Sequence, residues 1–140
     1  MILRAFTDGA SRGNPGEAGV GIIVMDERAA PVFTLHGFIG VCTNNVAEYT
    51  AMETLLARAR ALECARLIIH SDSELMVRQL NGKYRVKDRV LKTHHARTLE
   101  LLKALPFPFE LRHIPREENR EADRLANLGI DEKIPLRVSS

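Results

Sequence analysis

Tryptophan is absent from the 140-residue sequence, cysteine occurs only twice, and no run of 18 apolar residues exists. Without such a run, no segment is predicted to cross a membrane as a helix. The N-terminus also lacks the basic and then apolar layout of a signal peptide. Cys42 and Cys64 lie far apart and outside any CxxC motif, which predicts buried thiols in a reducing compartment rather than a disulfide. We therefore expect a cytoplasmic protein.

The composition is that of an ordinary globular protein, with 45% hydrophobic residues and a net charge of +2. A chain of this length is expected to form one domain with its own hydrophobic core. The small net charge only weakly favours a polyanionic partner. We assign residues 1–129 to this domain, and residues 130–140, which show no usable periodicity, to a C-terminal tail.

Hydrophobic periodicity predicts the element order β-β-β-α-β-α-α-β-α. The predicted strands cover residues 2–8, 18–25, 32–40, 66–70 and 107–112. The predicted helices cover residues 45–62, capped by Asn44, then 73–80, about 89–105, and a last segment that Asn119 could cap and Gly129 would end. This order predicts a mixed α/β (α+β) fold. Its five-stranded sheet has three antiparallel and then two parallel strands, with helices on its faces.

The stretch from Phe6 to Gly16 is the most distinctive part of the sequence. An apolar run leads to Asp8, and small and turn-forming residues follow it. We interpret the stretch as a strand that brings one carboxylate to a sharp turn. Its glycines would let another molecule approach the main chain closely. An ordinary hairpin turn with a solvated aspartate is the alternative.

Four acidic residues occupy unusual positions in the predicted elements. Asp8 and Asp72 each stand at the end of an apolar strand, so both reach one sheet edge if strands one and four are parallel neighbours. Glu48 lies on the inward stripe of the first helix, although the helix dipole alone could favour a glutamate there. Asp123 lies on the last helix.

Such a cluster of like charges would persist only with compensating cations. Oxygen ligands without cysteine or histidine select Mg²⁺ or Mn²⁺. Two such ions about 4 Å apart can activate a water and stabilise a leaving oxygen at phosphorus. If the four carboxylates meet, they could therefore support hydrolysis at phosphorus.

Four motifs together resemble those of type 1 ribonuclease H, also called ribonuclease HI, in a form without a long basic protrusion. They occur in the family's order and spacing between residues 6 and 128. They are Phe6-Thr7-Asp8-Gly9-Ala10 with Gly13-Asn14-Pro15-Gly16, Thr43-Asn44-Asn45-Val46-Ala47-Glu48, Ser71-Asp72-Ser73, and His113-Ile114-Pro115-Arg116-Glu117-Glu118-Asn119 leading to Ala122-Asp123.

The resemblance implies the ribonuclease H-like fold and a role for each matching residue. Asp8, Glu48, Asp72 and Asp123 match the family's metal-binding carboxylates, which implies catalysis with two Mg²⁺ ions, for which Mn²⁺ is the expected substitute. His113 matches a loop histidine that is thought to assist proton transfer or product release. A surface histidine without a catalytic part is the alternative for this residue.

Other matching residues concern the substrate, namely Gly9, Ser11, Asn14, Thr43, Asn44 and Asn45. The three asparagines match positions at which the family reads the RNA strand through 2′-hydroxyls and base edges, and amides can both donate and accept there. Thr43 matches part of a pocket that holds a phosphate of the DNA strand.

The sequence departs from some members of the family at several positions. Val41 stands where some members have an arginine in the phosphate pocket, and Glu74 replaces an amide. The basic stretch Lys83–Lys92 is short, and we interpret it as a phosphate-binding handle in which Tyr84 contacts a sugar or base. A solvated loop and helix start is the alternative interpretation of this stretch.

We therefore predict an endonuclease that cuts the RNA strand of RNA–DNA hybrids and leaves 5′-phosphate and 3′-hydroxyl ends. Its expected partner is the hybrid. We expect a monomer that needs no membrane and no protein partner. One alternative is a nuclease of the same fold that also cuts double-stranded RNA. The other is a nucleic-acid-binding module without catalytic activity.

Overall fold

The computed structural model describes residues 1–136, so the last four residues of the predicted tail lie outside the described part. Five strands form one mixed sheet in the order β3-β2-β1-β4-β5. The strands are β1 (Ile2–Gly13), β2 (Gly16–Met25), β3 (Pro31–Cys42), β4 (Arg66–Ser71) and β5 (Phe109–His113). The helices are α1 (Asn44–Ala59), α2 (Glu74–Leu80), α3 (Arg89–Lys103) and α4 (Arg120–Glu132).

The sheet has the predicted topology. β1, β2 and β3 pair as an antiparallel meander. β4 pairs in parallel with both β1 and β5, which confirms that strands one and four are parallel neighbours. Parallel neighbours need a crossover connection, and α1 provides it between β3 and β4.

β1 is longer than the sequence predicts, because its two edges have different partners. Its parallel pairing with β4 ends at Thr7, opposite Ser71. Its antiparallel pairing with β2 continues from Asp8 to Gly13. The prediction that the chain turns at Asp8 is therefore wrong. Asp8 lies within a strand, at the point where the partner on one side has ended.

The cap and the end of α1 also differ from the prediction. Thr43, and not Asn44, is the N-cap residue, and its hydroxyl accepts a 3.3 Å hydrogen bond from the Val46 N–H. The helix ends at Ala59 rather than at residue 62. Its inward stripe is as predicted, because Met52 and Leu55 are fully buried in the core between the helix and the sheet.

The helices divide between the faces of the sheet. α1 and α3 pack on each other over the main core, whereas α4 packs across β1, β2 and β3. α4 lies very close to β2, since a Cβ added at Gly21 would lie 2.2 Å from the carbonyl oxygen of Ala122. This close contact fixes the height of Asp123, the next residue in α4, above the sheet.

The last helix does not end at Gly129 as predicted. It continues to Glu132, and Lys133 adopts the left-handed conformation that terminates it. A Cβ at Gly129 would lie 2.5 Å from the carbonyl oxygen of Gly37, so this glycine serves the contact between α4 and β3. The first residues of the predicted tail therefore belong to α4, and Pro135 forms a bridge with Phe38.

Two further predictions concern the cysteines and the membrane. Cys42 and Cys64 are free thiols, but they are partly exposed rather than buried. In the part of the chain that the structure describes, every helix is too short or too polar to cross a membrane.

Candidate active site

Three carboxylates meet at the edge where β4 ends. Asp8, Glu48 and Asp72 each offer an oxygen atom, and these atoms lie within 4.8 Å of one another. Asp8 is 5% exposed and Glu48 is 4% exposed, whereas Asp72 is partly exposed. Asp8 follows the last β1 residue paired with β4, and Asp72 directly follows β4 itself. The parallel pairing of these strands therefore places both aspartates side by side.

Glu48 reaches the same place from the first turns of α1. Its Oε1 accepts a 2.7 Å hydrogen bond from the backbone N–H of Gly9. A Cβ at position 9 would lie 2.2 Å from the carbonyl carbon of Ala47, so only glycine leaves room for α1 at this distance. Gly9 therefore contributes to the site through its backbone.

Asp123 lines the same cleft from the first turn of α4, although it lies outside the group of three carboxylates. The cleft, called the carboxylate cleft below, has a volume of about 200 Å³. Its lining comprises the backbone or side chains of Asp8, Gly9, Ala10, Ser11, Asn44, Glu48, Asp72, Arg116 and Asp123.

The proximity and burial of these acids raise the pKa values of two of them, Asp8 and Glu48. Burial raises the pKa of Asp8 to about 10, with further contributions from the charges of Glu48 and Asp72 and from the Asp123 carboxyl. Burial and the charge of Asp72 raise the pKa of Glu48 to about 8, while the Gly9 N–H and the charge of Arg116 oppose this increase. Bringing these acids together in ionised form is unfavourable without added positive charge.

The carboxylate cleft therefore fits a divalent cation. Its donor set consists of carboxylate oxygens, which suit Mg²⁺ or Mn²⁺ better than softer metals. Asp8, Glu48 and Asp72 are the residues placed to hold such an ion, with Asp123 beside them. A bound cation would also favour ionisation of Asp8 and Glu48 at neutral pH.

Two site residues were not predicted from the sequence. Arg116 lines the carboxylate cleft from a short 3-10 turn, Arg116–Glu118, between β5 and α4. Asn119 was predicted as a helix cap, but its side chain makes no cap hydrogen bond and donates instead to Asp72. Both belong to the fourth motif, which was the only signal in the sequence that could have indicated them.

Most of the residues predicted to contact the substrate line two adjacent surface depressions. Ser11 and Asn44 line the carboxylate cleft. Asn14, Thr43 and Asn45 line a neighbouring space of about 420 Å³, called the side groove below, which is bounded on its far side by the start of α3. The two places are joined by a 3.1 Å hydrogen bond from the Asn44 N–H to Oδ1 of Asn14.

His113 and Tyr84 are not among the residues that line either place. His113 ends β5, and its Nδ1 lies 3.9 Å from Oε2 of Glu74. Tyr84 is exposed, with the Arg78 guanidinium 5.4 Å from its ring centroid. The basic residues of the Lys83–Lys92 stretch are all exposed around the buried Val86.

Comparison with known proteins extends along most of the chain. A family model described as reverse transcriptase-like matches residues 6–129. Ribonuclease HI of Halobacterium salinarum is 36% identical over 130 residues, which cover 93% of this chain but only 65% of that protein. The crystal structure of RNase H1 from this archaeon has a TM-score of 0.88 and covers 94% of this chain and 99% of the solved one.

Two further relatives match over almost their whole length. Ribonuclease H of Halorhodospira halophila is 33% identical, and the match covers 95% of both chains. LC11-RNase H1, solved in complex with an RNA/DNA hybrid, is 38% identical with a TM-score of 0.83, covering 93% of this chain and 97% of that one. The carboxylate cleft, the mixed sheet and these relatives together show that the chain belongs to the type 1 ribonuclease H family.

Proposed function

We propose that this chain hydrolyses the RNA strand of RNA–DNA hybrids, using two divalent ions and leaving 5′-phosphate and 3′-hydroxyl ends. The observation that supports this most is the meeting of Asp8, Glu48 and Asp72, with Asp123 lining the same cleft. The hybrid-bound relative supports the choice of substrate. All four carboxylates come from one chain, which is consistent with activity as a monomer.

The four carboxylates hold the ions, which we propose to be Mg²⁺ with Mn²⁺ as a substitute. When bound, such ions supply Lewis-acid activation of water and stabilise the departing 3′ oxygen. The remaining residues orient the scissile phosphate. Arg116 brings a positive charge to the cleft. We assign His113, which ends β5, to proton transfer or product release.

The RNA strand is recognised beside the carboxylates. Asn44 lines the cleft, Asn14 and Asn45 line the side groove, and all three residues are exposed. Oδ1 of Asn14 already accepts the Asn44 N–H, so its Nδ2 is left to donate to a 2′-hydroxyl. Gly9 and Ser11 form the floor over which this strand passes.

The DNA strand is held farther out. The Thr43 oxygen accepts the Val46 N–H at the start of α1, which leaves its hydroxyl hydrogen free to donate to a phosphate. The exposed cations of Lys83–Lys92 and the ring of Tyr84 provide a handle for the same strand or the next turn of the duplex.

The test is cleavage of an end-labelled RNA–DNA hybrid with Mg²⁺, with Mn²⁺ and with chelator. Single-stranded RNA, double-stranded RNA and duplex DNA of the same sequence serve as comparisons. We expect metal-dependent cutting of the hybrid's RNA strand, and near-complete loss of cutting in a folded Asp72→Asn variant. Full activity in that variant would overturn the assignment of the carboxylates. Metal-independent binding without turnover would favour a binding module instead.

One observation favours a broader specificity as the second candidate. Val41, next to the side groove, is 69% exposed and carries no charge where some family members have an arginine. A weaker hold on the DNA strand would reduce the preference for the hybrid over double-stranded RNA. Cutting of double-stranded RNA at a comparable rate would support this candidate.

A further inference from the structure

Asn119 occupies a position that its expected role does not explain. It directly precedes α4, where an asparagine would normally cap the helix through its side chain. The side chain makes no such bond and is 1% exposed. Burial of a side-chain amide is unfavourable unless the amide forms hydrogen bonds within the protein. The hydrogen bonds that Asn119 does form therefore explain why it is buried here.

The Asn119 side chain connects β1 to the residue that directly follows β4. Its Nδ2 donates to the carbonyl oxygen of Thr7 and to Oδ2 of Asp72, and both distances are 2.9 Å. The Thr7 carbonyl belongs to the peptide bond that precedes Asp8. One amide group thus ties the backbone beside one carboxylate to the side chain of another.

The backbone of Asn119 adds a third connection. Its carbonyl oxygen accepts a 3.1 Å hydrogen bond from the N–H of Asp123. Asn119 is therefore hydrogen-bonded to the side chain of Asp72, to the residue before Asp8 and to the backbone of Asp123. Two of these contacts are with carboxylate residues and the third is with the residue before Asp8, so Asn119 connects β1, the end of β4 and α4.

The carbonyl oxygen of the Asn119 side chain makes no such connection to the described residues. Among residues 1–136, Oδ1 of Asn119 has no hydrogen-bond partner, and the neighbouring hydroxyl of Thr7 has none either. An unsatisfied buried acceptor is unfavourable, so a residue present only for stability would be poorly chosen here. The hydrogen bonds of the side chain are donated by its Nδ2 group. It stays neutral, so it restrains Asp72 without adding a positive charge that would compete with a cation.

We propose that Asn119 is a positioning residue that holds the Asp72 carboxylate in the orientation needed for metal binding. Partners of this kind orient metal ligands, and their loss typically lowers metal affinity or activity about 10- to 100-fold. The proposal rests on the proposed function only in taking Asp72 as a metal ligand. It therefore applies to the free protein as well as to the working enzyme.

The experiment compares Asn119→Ala with Glu117→Gln, a control at an exposed residue of the 3-10 turn that directly precedes Asn119. Mn²⁺ binding to each free protein is measured by calorimetry, and thermal unfolding is followed in parallel. On the hybrid, kcat, KM and the half-saturating metal concentration are determined. For Asn119→Ala we expect a Kd for Mn²⁺ and a half-saturating concentration about 10- to 100-fold higher. KM for the hybrid should change less than about twofold. The control should match the wild type.

A folded Asn119→Ala protein with wild-type Mn²⁺ affinity would overturn the proposal, whatever happens to kcat. If Asn119→Ala does not fold, Asn119→Ser, which keeps one hydrogen-bond donor, is measured in its place. Weaker Mn²⁺ binding would then support the proposal, and wild-type Mn²⁺ affinity would overturn it. Unfolding of both variants would show that Asn119 is structural and would also overturn it. Absence of hybrid cleavage by the wild type, with Mn²⁺ binding that weakens in Asn119→Ala, would refute the proposed function and leave this inference standing.

Discussion

The backbone N–H of Gly9 donates a 2.7 Å hydrogen bond to the Glu48 carboxylate, and this bond joins the middle of β1 to the first turns of α1. The donor is a neutral backbone group, and it gives a buried acid a fixed orientation. The geometry depends on the missing side chain of Gly9, because α1 lies against the strand at that residue.

Gly9→Ala should therefore damage both folding and catalysis. The added methyl group would lie 2.2 Å from Ala47 backbone atoms, which cannot move without displacing Glu48. Overpacking of this kind costs about 1–3 kcal/mol, and more where backbone must move. Urea unfolding and the cleavage rate measure the two effects. Gly40→Ala is the matched control, since nothing lies within 4 Å of its added methyl group and only its φ of 84° is strained. Equal losses of cleavage in both variants would contradict the steric account.

The metal-free protein should lose stability as the pH rises. The pKa of Asp8 is about 10 in the folded state against an ordinary value of 3.8, so the folded state binds its proton more tightly than the unfolded chain. The stabilisation from this proton is fully present below about pH 4 and is lost as the pH rises through about 10.

Asp8→Asn should remove much of this pH dependence. At pH 9 in chelator we expect the variant to be more stable than the wild type, by on the order of 1 kcal/mol or about 2–4 °C in Tm. Urea unfolding at pH 5, 7 and 9 measures the effect, with the exposed Glu63→Gln as the control. Added Mg²⁺ should stabilise the wild type more than the variant. Parallel pH profiles for all three proteins would refute the prediction.

Arg116→Ala should shift the pH dependence of cleavage to higher pH. The charge of Arg116 lowers the pKa of Glu48, so its removal leaves this acid protonated over a wider range. A protonated carboxyl group binds a divalent cation poorly. The acidic limb of the pH–rate profile should therefore shift to higher pH, and the rate at pH 7 should fall. Arg120→Ala, at the exposed first residue of α4, provides the control. An unchanged acidic limb in Arg116→Ala would show that its charge does not act on Glu48.

Val41→Arg should strengthen the hold on the hybrid. The new guanidinium would stand at the exposed end of β3, beside Thr43 and the side groove. One added phosphate contact should steepen the salt dependence of binding by about 0.9 in the slope of log K against log salt. The affinity measured at several salt concentrations gives this slope. Val32→Arg, at the other end of the same strand, is the control, and an equal gain there would indicate charge alone rather than a specific contact.

Much of the fold was predictable because it depends on local periodicity. Alternating apolar runs indicated the strands, and the inward stripe of α1 placed Glu48 among core residues. The errors lie at element ends. Asn44 and Thr43 can both cap a helix, and the extended backbone at Thr43 decides between them. Gly129 resembles a helix terminator in sequence, but its packing against Gly37 keeps it inside α4.

By itself, the sequence determined the element order and the family and indicated the four carboxylates, because each depends on residue type and spacing along the chain. Only the tertiary structure decided the rest of the site. It brought Arg116 into the carboxylate cleft and Asn119 onto Asp72, left His113 and Tyr84 out of the cleft lining, and raised the pKa values of Asp8 and Glu48. These properties depend on burial and on distances between residues far apart in sequence, which packing sets and local pattern does not encode.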